Sequence, residues 1–528
     1  MSAAVDPDRI VVWKDGPPRG SSFEPGSGAG AGEPRPGSPT TSPSSPDAPS
    51  GRHADSPTTN RNSPGGASGR ARYVLYWMQT SQRPWDNPAL DLAVEHANAL
   101  GLPVLVCFGL TAYPEATVRH YTFMLEGIAE TAAALADRNI AFAMRYEEPW
   151  RLALHLSSAA ALVVTDGAYL RLPRSWRSRL AERIDCPLYE VESDVVVPVR
   201  LASDKPEFAA RTIRRKIHRQ AERFLSEPVS TKVDVPAPPD LAGLHDTIAP
   251  DDPASALVEI ERHQALDRGV PAVSRLYPGG PQTALDRFSR FLEHSLMYYS
   301  DHRNQPQTDD TSGMSMHLQY GQISPVRLLV EAARFRDSHG GESGRGSDVQ
   351  QQYEDFYEEL LVRRELAYNY CFYEPRYDSY EALPEWAKKT LAEHSHDERD
   401  PLYTIEELEA GGTEDEYWNA CMKEMRETGY MHNYVRMYWG KQVLLWSATP
   451  EEAFNRLLYL NNRYFLDGLN PASYANVGWI FGLHDRPWTE RAVFGKVRIM
   501  TPGGLKRKCD MPGYIAKVDR LAKFCRVG

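Results

Sequence analysis

The residues with the most chemical content lie in the second half of the 528-residue chain. Tyr299-Ser-Asp-His-Arg303 is followed by Thr311-Ser312-Gly313-Met314-Ser315, a run of small and hydroxyl side chains ahead of the helical pattern SPVRLLVEAARF. Exposed backbone N–H groups and hydroxyls at such a place suit a phosphate group. From spacing alone, the same run also reads as a helix cap. Trp439 and Trp446 are seven residues apart. On a helix that sets two indoles on one face, about 10 Å apart along the axis. With Trp418 one helix earlier they make a set of rings suited to passing an electron, although a core stripe has the same spacing. Arg436 and Asp467 each sit in an otherwise apolar helical pattern. A buried charge needs a counter-charge, so the two are expected to pair.

Charge is distributed unevenly. Residues 491–528 hold ten Lys and Arg, Lys506 and Arg507 among them, against two Asp, in a chain of net charge −11. A local basic face of this kind fits nucleic-acid phosphates, while the overall acidity excludes a general nucleic-acid coat. A second basic run, RTIRRKIHRQAER at 211–223, has helical spacing and reads as a solvated helix face. No G-x-G-x-x-G follows a strand, and Walker A, HExxH, GxSxG and SxxK patterns are absent. The six cysteines lie far apart with no C-x-x-C pair. That excludes a disulfide scaffold, leaves no metal site expected, and fits a reducing cytosol. No apolar run is long enough to span a membrane, and the N-terminus has no secretory h-region. The expected location is cytoplasmic.

These residues must be positioned by the elements around them. Residues 1–71 are dominated by Pro, Gly, Ser, Ala and Thr, and are expected to form a disordered tail. From 72 to 200, short β-rich runs (Tyr73–Met78, Pro103–Phe108, Ile140–Arg145, Ala160–Thr165, Pro187–Val191) alternate with helical patterns (Pro88–Leu100 and 117–138). That alternation predicts a doubly wound α/β domain on a parallel sheet. Residues 201–281 read as a helix followed by a Pro- and Asp-rich linker over the surface. From 282 to 528 the apolar residues recur at i, i+3, i+4, which predicts a large all-helical domain.

Several blocks then resemble a known family in order along the chain. YWMQTSQR (76–83), TSGMSMHLQYGQISP (311–325), EELLVRREL (358–366), VRMYWGKQVLLWS (435–447) and LNNRYFLDGLNPASYANVGWIFG (460–482) look like class II cyclobutane pyrimidine dimer photolyases, of the photolyase/cryptochrome superfamily. The resemblance implies an α/β antenna domain and a helical catalytic domain holding FAD. It implies that Thr311, Ser312, Gly313, Met314 and Ser315 form the FAD-phosphate loop with Tyr299. Arg436 and Asp467 would lie against the isoalloxazine ring, Asn461 near its N5, and Gly468 beside them. An amide suits that place because it both donates and accepts. Trp418, Trp439 and Trp446 would carry electrons to the flavin.

The same resemblance assigns the substrate side. Glu359 would hydrogen-bond the carbonyl edge of the dimer as a carboxyl kept uncharged by burial. Met437 and Trp479 would pack on the extruded bases. Arg363 stands where many relatives of the wider superfamily carry a Trp, and with Arg486, Lys506 and Arg507 it would bind DNA. The implied reaction is light-driven repair of cyclobutane pyrimidine dimers by an electron from fully reduced FAD, in a monomeric enzyme that joins the nucleoid when bound to DNA; its antenna site would hold a deazaflavin or a folate, or stand empty. The alternative on the same scaffold is a cryptochrome-type blue-light receptor. The presence of Glu359, Met437 and Trp479 together favours repair.

Overall fold

The computed structural model describes residues 5–19, 71–238, 240–340 and 346–526. Six strands form one sheet: β1 (Ile10–Lys14), β2 (Tyr73–Trp77), β3 (Val104–Leu110), β4 (Ala141–Tyr146), β5 (Ala160–Asp166) and β6 (Leu188–Val191). Their order is β1-β6-β5-β2-β3-β4, and every pairing except β1 with β6 is parallel. All residues of β2, β3 and β5 are buried, as expected of parallel strands covered on both faces. Val74 and Tyr76 face the helices Pro88–Leu100 and Val118–Asp137, while Tyr73, Leu75 and Trp77 face Pro149–Ser157 and Arg171–Ala181. The strand order reverses between β5 and β2, so a crevice opens there at the carboxyl ends of the strands.

Two expectations need correction. The disordered tail proposed for 1–71 fails for its first described residues. Ile10–Lys14 pairs antiparallel with β6, Ile10 opposite Val191 and Val12 opposite Tyr189. Arg9 anchors this edge strand: it is buried and donates to the carbonyls of Glu192, Val195 and Val196 at 2.8, 2.9 and 2.7 Å. The remainder of the tail, 20–70, lies outside the described residues. The linker also contains structure: Pro253–His263 is a helix whose Ala256 and Ile260 join the core beneath Val118–Asp137.

The C-terminal half is helical. The helix Ala210–Phe224 packs with it through Ile213, Ile217 and Ala221, in one apolar cluster with Phe288, Leu360 and Leu361. A second cluster joins the helices Glu416–Thr428, Asn433–Leu445, Pro450–Tyr464 and Pro471–Ile480 around Trp418, Trp439, Leu457 and Ile480. Pro450 and Pro471 occupy first-turn positions behind the caps Thr449 and Asn470, which fixes where both helices start. Gly440 allows the helix Asn433–Leu445 to lie directly on Ile480, since a Cβ there would come within 2.1 Å of the Ile480 side chain.

Candidate functional site

A cleft of about 480 Å³ opens in the helical half. One wall is the Thr311–Ser315 loop, whose Ser315 begins a short helix, Ser315–Gln319. Gly313 adopts φ +63°, and a Cβ there would meet Arg287 at 2.9 Å, so glycine lets the loop turn tightly against that guanidinium. Thr311 Oγ1 lies 3.4 Å from the Tyr430 hydroxyl, and Met314 and Tyr299 are buried behind the loop. Tyr299 packs edge-on against Phe291 and Phe356, and burial raises its phenol pKa. Lys517, counted above with the C-terminal basic residues, is buried instead. It donates to the carbonyls of Pro306 and Thr308 at 3.1 and 2.7 Å and pairs with Asp309, tying the C-terminal helix to this loop.

The opposite wall carries the expected ion pair. Arg436 reaches Asp467 through two parallel hydrogen bonds of 3.0 Å each, and its Nε donates to the Met431 carbonyl at 2.8 Å. Burial works against the guanidinium charge, but Asp467 outweighs it and the Arg436 pKa rises. Asn461 lines the same wall and donates from Nδ2 to Asn462 at 3.1 Å, which leaves its amide oxygen to accept from the cleft. Gly468 stands behind the wall; a Cβ there would strike the carbonyls of Phe465 and Asn461 at 2.9 and 3.0 Å.

The mouth is formed by Glu359, Arg363, Met437 and Trp479, with Arg498 at the rim. Glu359 and Arg363 belong to a π-helical turn, Glu358–Arg363, a distortion common at functional sites. Arg363 lies over the Trp479 ring at 5.4 Å and bonds Glu358 at 3.0 Å. Glu359 is half-buried and accepts from Arg303 Nη2 at 2.8 Å, a partner that the sequence reading did not give it. Arg303 supplies a counter-charge that the short Tyr-x₃-Arg spacing could have flagged.

The tryptophans are arranged differently from the helix-face reading. The helix ends at Leu445, and Trp446 caps it. Trp439 lines the cleft, Trp418 donates from Nε1 to its carbonyl at 3.0 Å, and Trp418 and Trp446 meet edge-on at 5.4 Å. Tyr403, which no sequence signal singled out, stands 5.1 Å beyond Trp446 and is half-exposed. The four rings thus run from cleft to surface.

Arg486, Lys506 and Arg507 lie outside the cleft. Arg486 and Arg498 both lie over the Trp488 ring, at 5.0 and 5.1 Å, while Lys506 and Arg507 are exposed on the helix Pro502–Lys508. A second cavity, of about 180 Å³, opens at the carboxyl ends of β2, β3 and β5, between Met78, Phe108, Tyr113, Tyr169, Tyr368 and Pro471. Among the described residues there is no cluster of metal ligands, and no helix is long and apolar enough to cross a membrane.

Comparison with known proteins agrees with this arrangement. The family model described as DNA photolyase matches residues 74–239. A deoxyribodipyrimidine photo-lyase of Methanothermobacter thermautotrophicus is 41% identical over 460 residues, covering 86% of this chain and 96% of the relative. The proteins of the same name from Arabidopsis thaliana and Potorous tridactylus are 37% and 35% identical, covering 86% and 84% of this chain and 90% and 81% of their own lengths. The crystal structure of a class III photolyase from Agrobacterium tumefaciens shares the fold, with a TM-score of 0.64 at 19% identity over 86% of this chain and 88% of that one. By its sequence and its fold, then, the chain belongs to the DNA photolyase family.

Proposed function

We propose that this protein repairs cyclobutane pyrimidine dimers in DNA with light, as a class II enzyme acting as a monomer. The observation that carries the reading is the convergence on one cleft of a phosphate-suited loop, a buried Arg–Asp pair and a mouth of Glu359, Met437 and Trp479. The residues present suit FAD: the Thr311–Ser315 loop lines the cleft with hydroxyls and backbone N–H groups suited to a diphosphate, and the Arg436–Asp467 pair offers a flat polar surface to a fused ring. When bound and fully reduced, FAD would supply the light-driven one-electron chemistry that the repair of a dimer requires.

The protein's own groups have definable duties. Thr311, Ser312 and Ser315 bind phosphate oxygens, and Asp467 holds Arg436 charged and in place. The Asn461 amide satisfies a ring nitrogen whether or not that nitrogen carries a proton. Met437 and Trp479 stack on the extruded lesion, whose poor pairing lowers the cost of extrusion. The Arg303–Glu359 pair faces the dimer's carbonyl edge, where charge gathers once an electron arrives, so both side chains serve to stabilise it. Trp439, Trp418 and Trp446 form, in that order, the route by which an external electron reaches the cleft. Arg486, Lys506 and Arg507 bind flanking phosphates. The second cavity is apolar and aromatic, and suits a planar antenna chromophore such as a deazaflavin or a folate. An absorption spectrum of the purified protein, followed by illumination with a dimer-bearing oligonucleotide, tests the reading. Protein that is colourless when folded, or coloured protein that leaves the dimer intact, would overturn it.

A further inference from the structure

The helix Ala210–Phe224 carries six Lys and Arg and a single acid, Glu222. Its apolar seam of Ile213, Ile217 and Ala221 is buried, so its remaining faces are free to differ. Three of the basic residues are committed to neighbours: Arg214 to Glu358 at 2.6 Å, Lys216 to Glu207 at 2.5 Å, and Arg223 to Asp6 and Asp8 at 2.5 Å. The other three, Arg211, Arg215 and Arg219, recur every four residues, are exposed, and have no ion-pair partner among the described residues. They make one stripe about 12 Å long.

The helix that carries the stripe adjoins the mouth of the cleft. Glu358 is shared between Arg214 of this helix and Arg363 of the mouth. At the helix start, His484 donates from Nδ1 to the Phe208 carbonyl at 2.9 Å, and its ring meets Trp479 at 5.7 Å. Phe208 itself is 49% exposed and extends the apolar rim onto the helix. The Arg214–Glu358 contact therefore holds the helix beside the mouth, while the exposed stripe keeps its positive charge for a ligand.

We propose that Arg211, Arg215 and Arg219 form a second DNA-binding arm, in addition to the C-terminal basic residues, which holds the phosphate backbone of duplex flanking the extruded lesion. The proposal rests on the repair reading above. DNA carries one phosphate per about 3.4 Å of axis on each strand, so the stripe matches about three phosphates. Exposed guanidiniums contact phosphates without reading sequence, so the arm adds affinity and orientation rather than base preference.

The test is the salt dependence of binding by the full-length protein and by the Arg211→Gln/Arg215→Gln/Arg219→Gln variant. Two probes are used: a long duplex with one dimer at its centre, and a short single-stranded oligonucleotide with the same dimer. The variant should keep its flavin, bind the short probe as wild type does, and show a log affinity against log salt slope shallower by about 0.9 for each lost contact on the duplex, about 2.7 in all. An unchanged slope would overturn the arm. Equal loss on both probes would overturn it too, because the effect would then lie in the cleft. Wild-type protein that did not distinguish damaged from intact duplex would overturn the repair reading, and the arm with it.

Discussion

The indole N–H of Trp418 donates to the backbone carbonyl of Trp439 at 3.0 Å, which fixes the second ring relative to the one that lines the cleft. Trp446 then meets Trp418 edge-on, and all three rings are buried. Trp418 is therefore the middle of the route, and its loss interrupts it. Trp418→Phe should abolish or strongly slow light-driven reduction of oxidised flavin, as should Trp439→Phe. Repair by protein reduced beforehand should be nearly unchanged, because that electron starts and ends at the flavin. The lost hydrogen bond costs about 1 kcal/mol, too little to unfold the domain. Flash photolysis alongside a repair assay on pre-reduced protein separates the two; loss of both activities together would reject the order.

Glu359 and Arg303 act as a pair across the mouth. Glu359→Ala removes the partner that orients Arg303 and leaves its charge unbalanced. The expected result is normal photoreduction with a lower yield of dimer splitting. A hydrogen bond to a charged group is worth about 1.5–3 kcal/mol, enough to shift the competition between ring opening and electron return. Arg303→Met should give the same loss of yield, since either change breaks the same contact. An undiminished yield in both variants, measured on a short dimer-bearing oligonucleotide, would remove the pair from the chemistry.

How much of this was legible in the sequence follows from the kind of contact involved. The buried parallel strands β2, β3 and β5 read as apolar runs because both of their faces are covered, and the observed limits of β2 to β6 lie close to the predicted ones. The Arg436–Asp467 pair was legible because two charges in apolar surroundings demand one another. Strand β1 was hidden because five residues, IVVWK, carry too little pattern beside a Pro-, Gly- and Ser-rich stretch, and their partner lies far along the chain. The order of the tryptophans was hidden for a related reason. Spacing along one helix does not report that a ring from another helix stands between Trp439 and Trp446. Lys517 looked like part of a basic surface, since charge counts do not distinguish an exposed ammonium from one aimed at buried carbonyls.

Asp467→Asn keeps the size of the side chain but removes the charge opposite buried Arg436. Breaking a buried pair from one side costs about 3–5 kcal/mol. The variant should lose flavin during purification or release it faster on dilution, followed by the rise in free-flavin fluorescence. Retention equal to wild type would show that the pair does not hold the cofactor site together.

Arg9 should prove structural despite its place in a segment that looks dispensable. Its three carbonyl acceptors belong to the loop after β6, and that loop is also held from the helical half by Glu365, which accepts from the backbone N–H groups of Val196 and Val197. Arg9→Met should lower stability by about 3 kcal/mol, since charge-assisted hydrogen bonds are lost and buried carbonyls are left without donors. Urea unfolding followed by tryptophan fluorescence measures it. Removing residues 1–19 should be at least as costly; a truncated chain as stable as the intact one would show that the edge strand adds nothing.

Lys441 makes stability depend on pH in a direction opposite to that of a surface lysine in an ion pair. It is 1% exposed and donates to the Ile480 carbonyl, at the end of the helix that presents Trp479 to the cleft. Burial pushes its pKa down to about 7, with Asp485 opposing that and Arg498 adding to it. In the unfolded chain a lysine titrates near 10.4. Between those values the unfolded state binds one more proton than the folded state, so stability attributable to this group rises with pH, by about 1.4 kcal/mol per unit. It is fully present above the unfolded pKa and is lost as pH falls towards the folded one. Lys441→Met removes the titration, so wild type should gain stability relative to the variant as pH rises from about 7 to about 9.5. The neutral amine still donates to Ile480 in that range, so Trp479 should stay in place in wild type, while the variant should show weaker dimer binding at an unchanged splitting yield. Urea unfolding of both proteins across this range gives the slope, and a stability difference that did not change with pH would show that Lys441 is not titrating inside the fold.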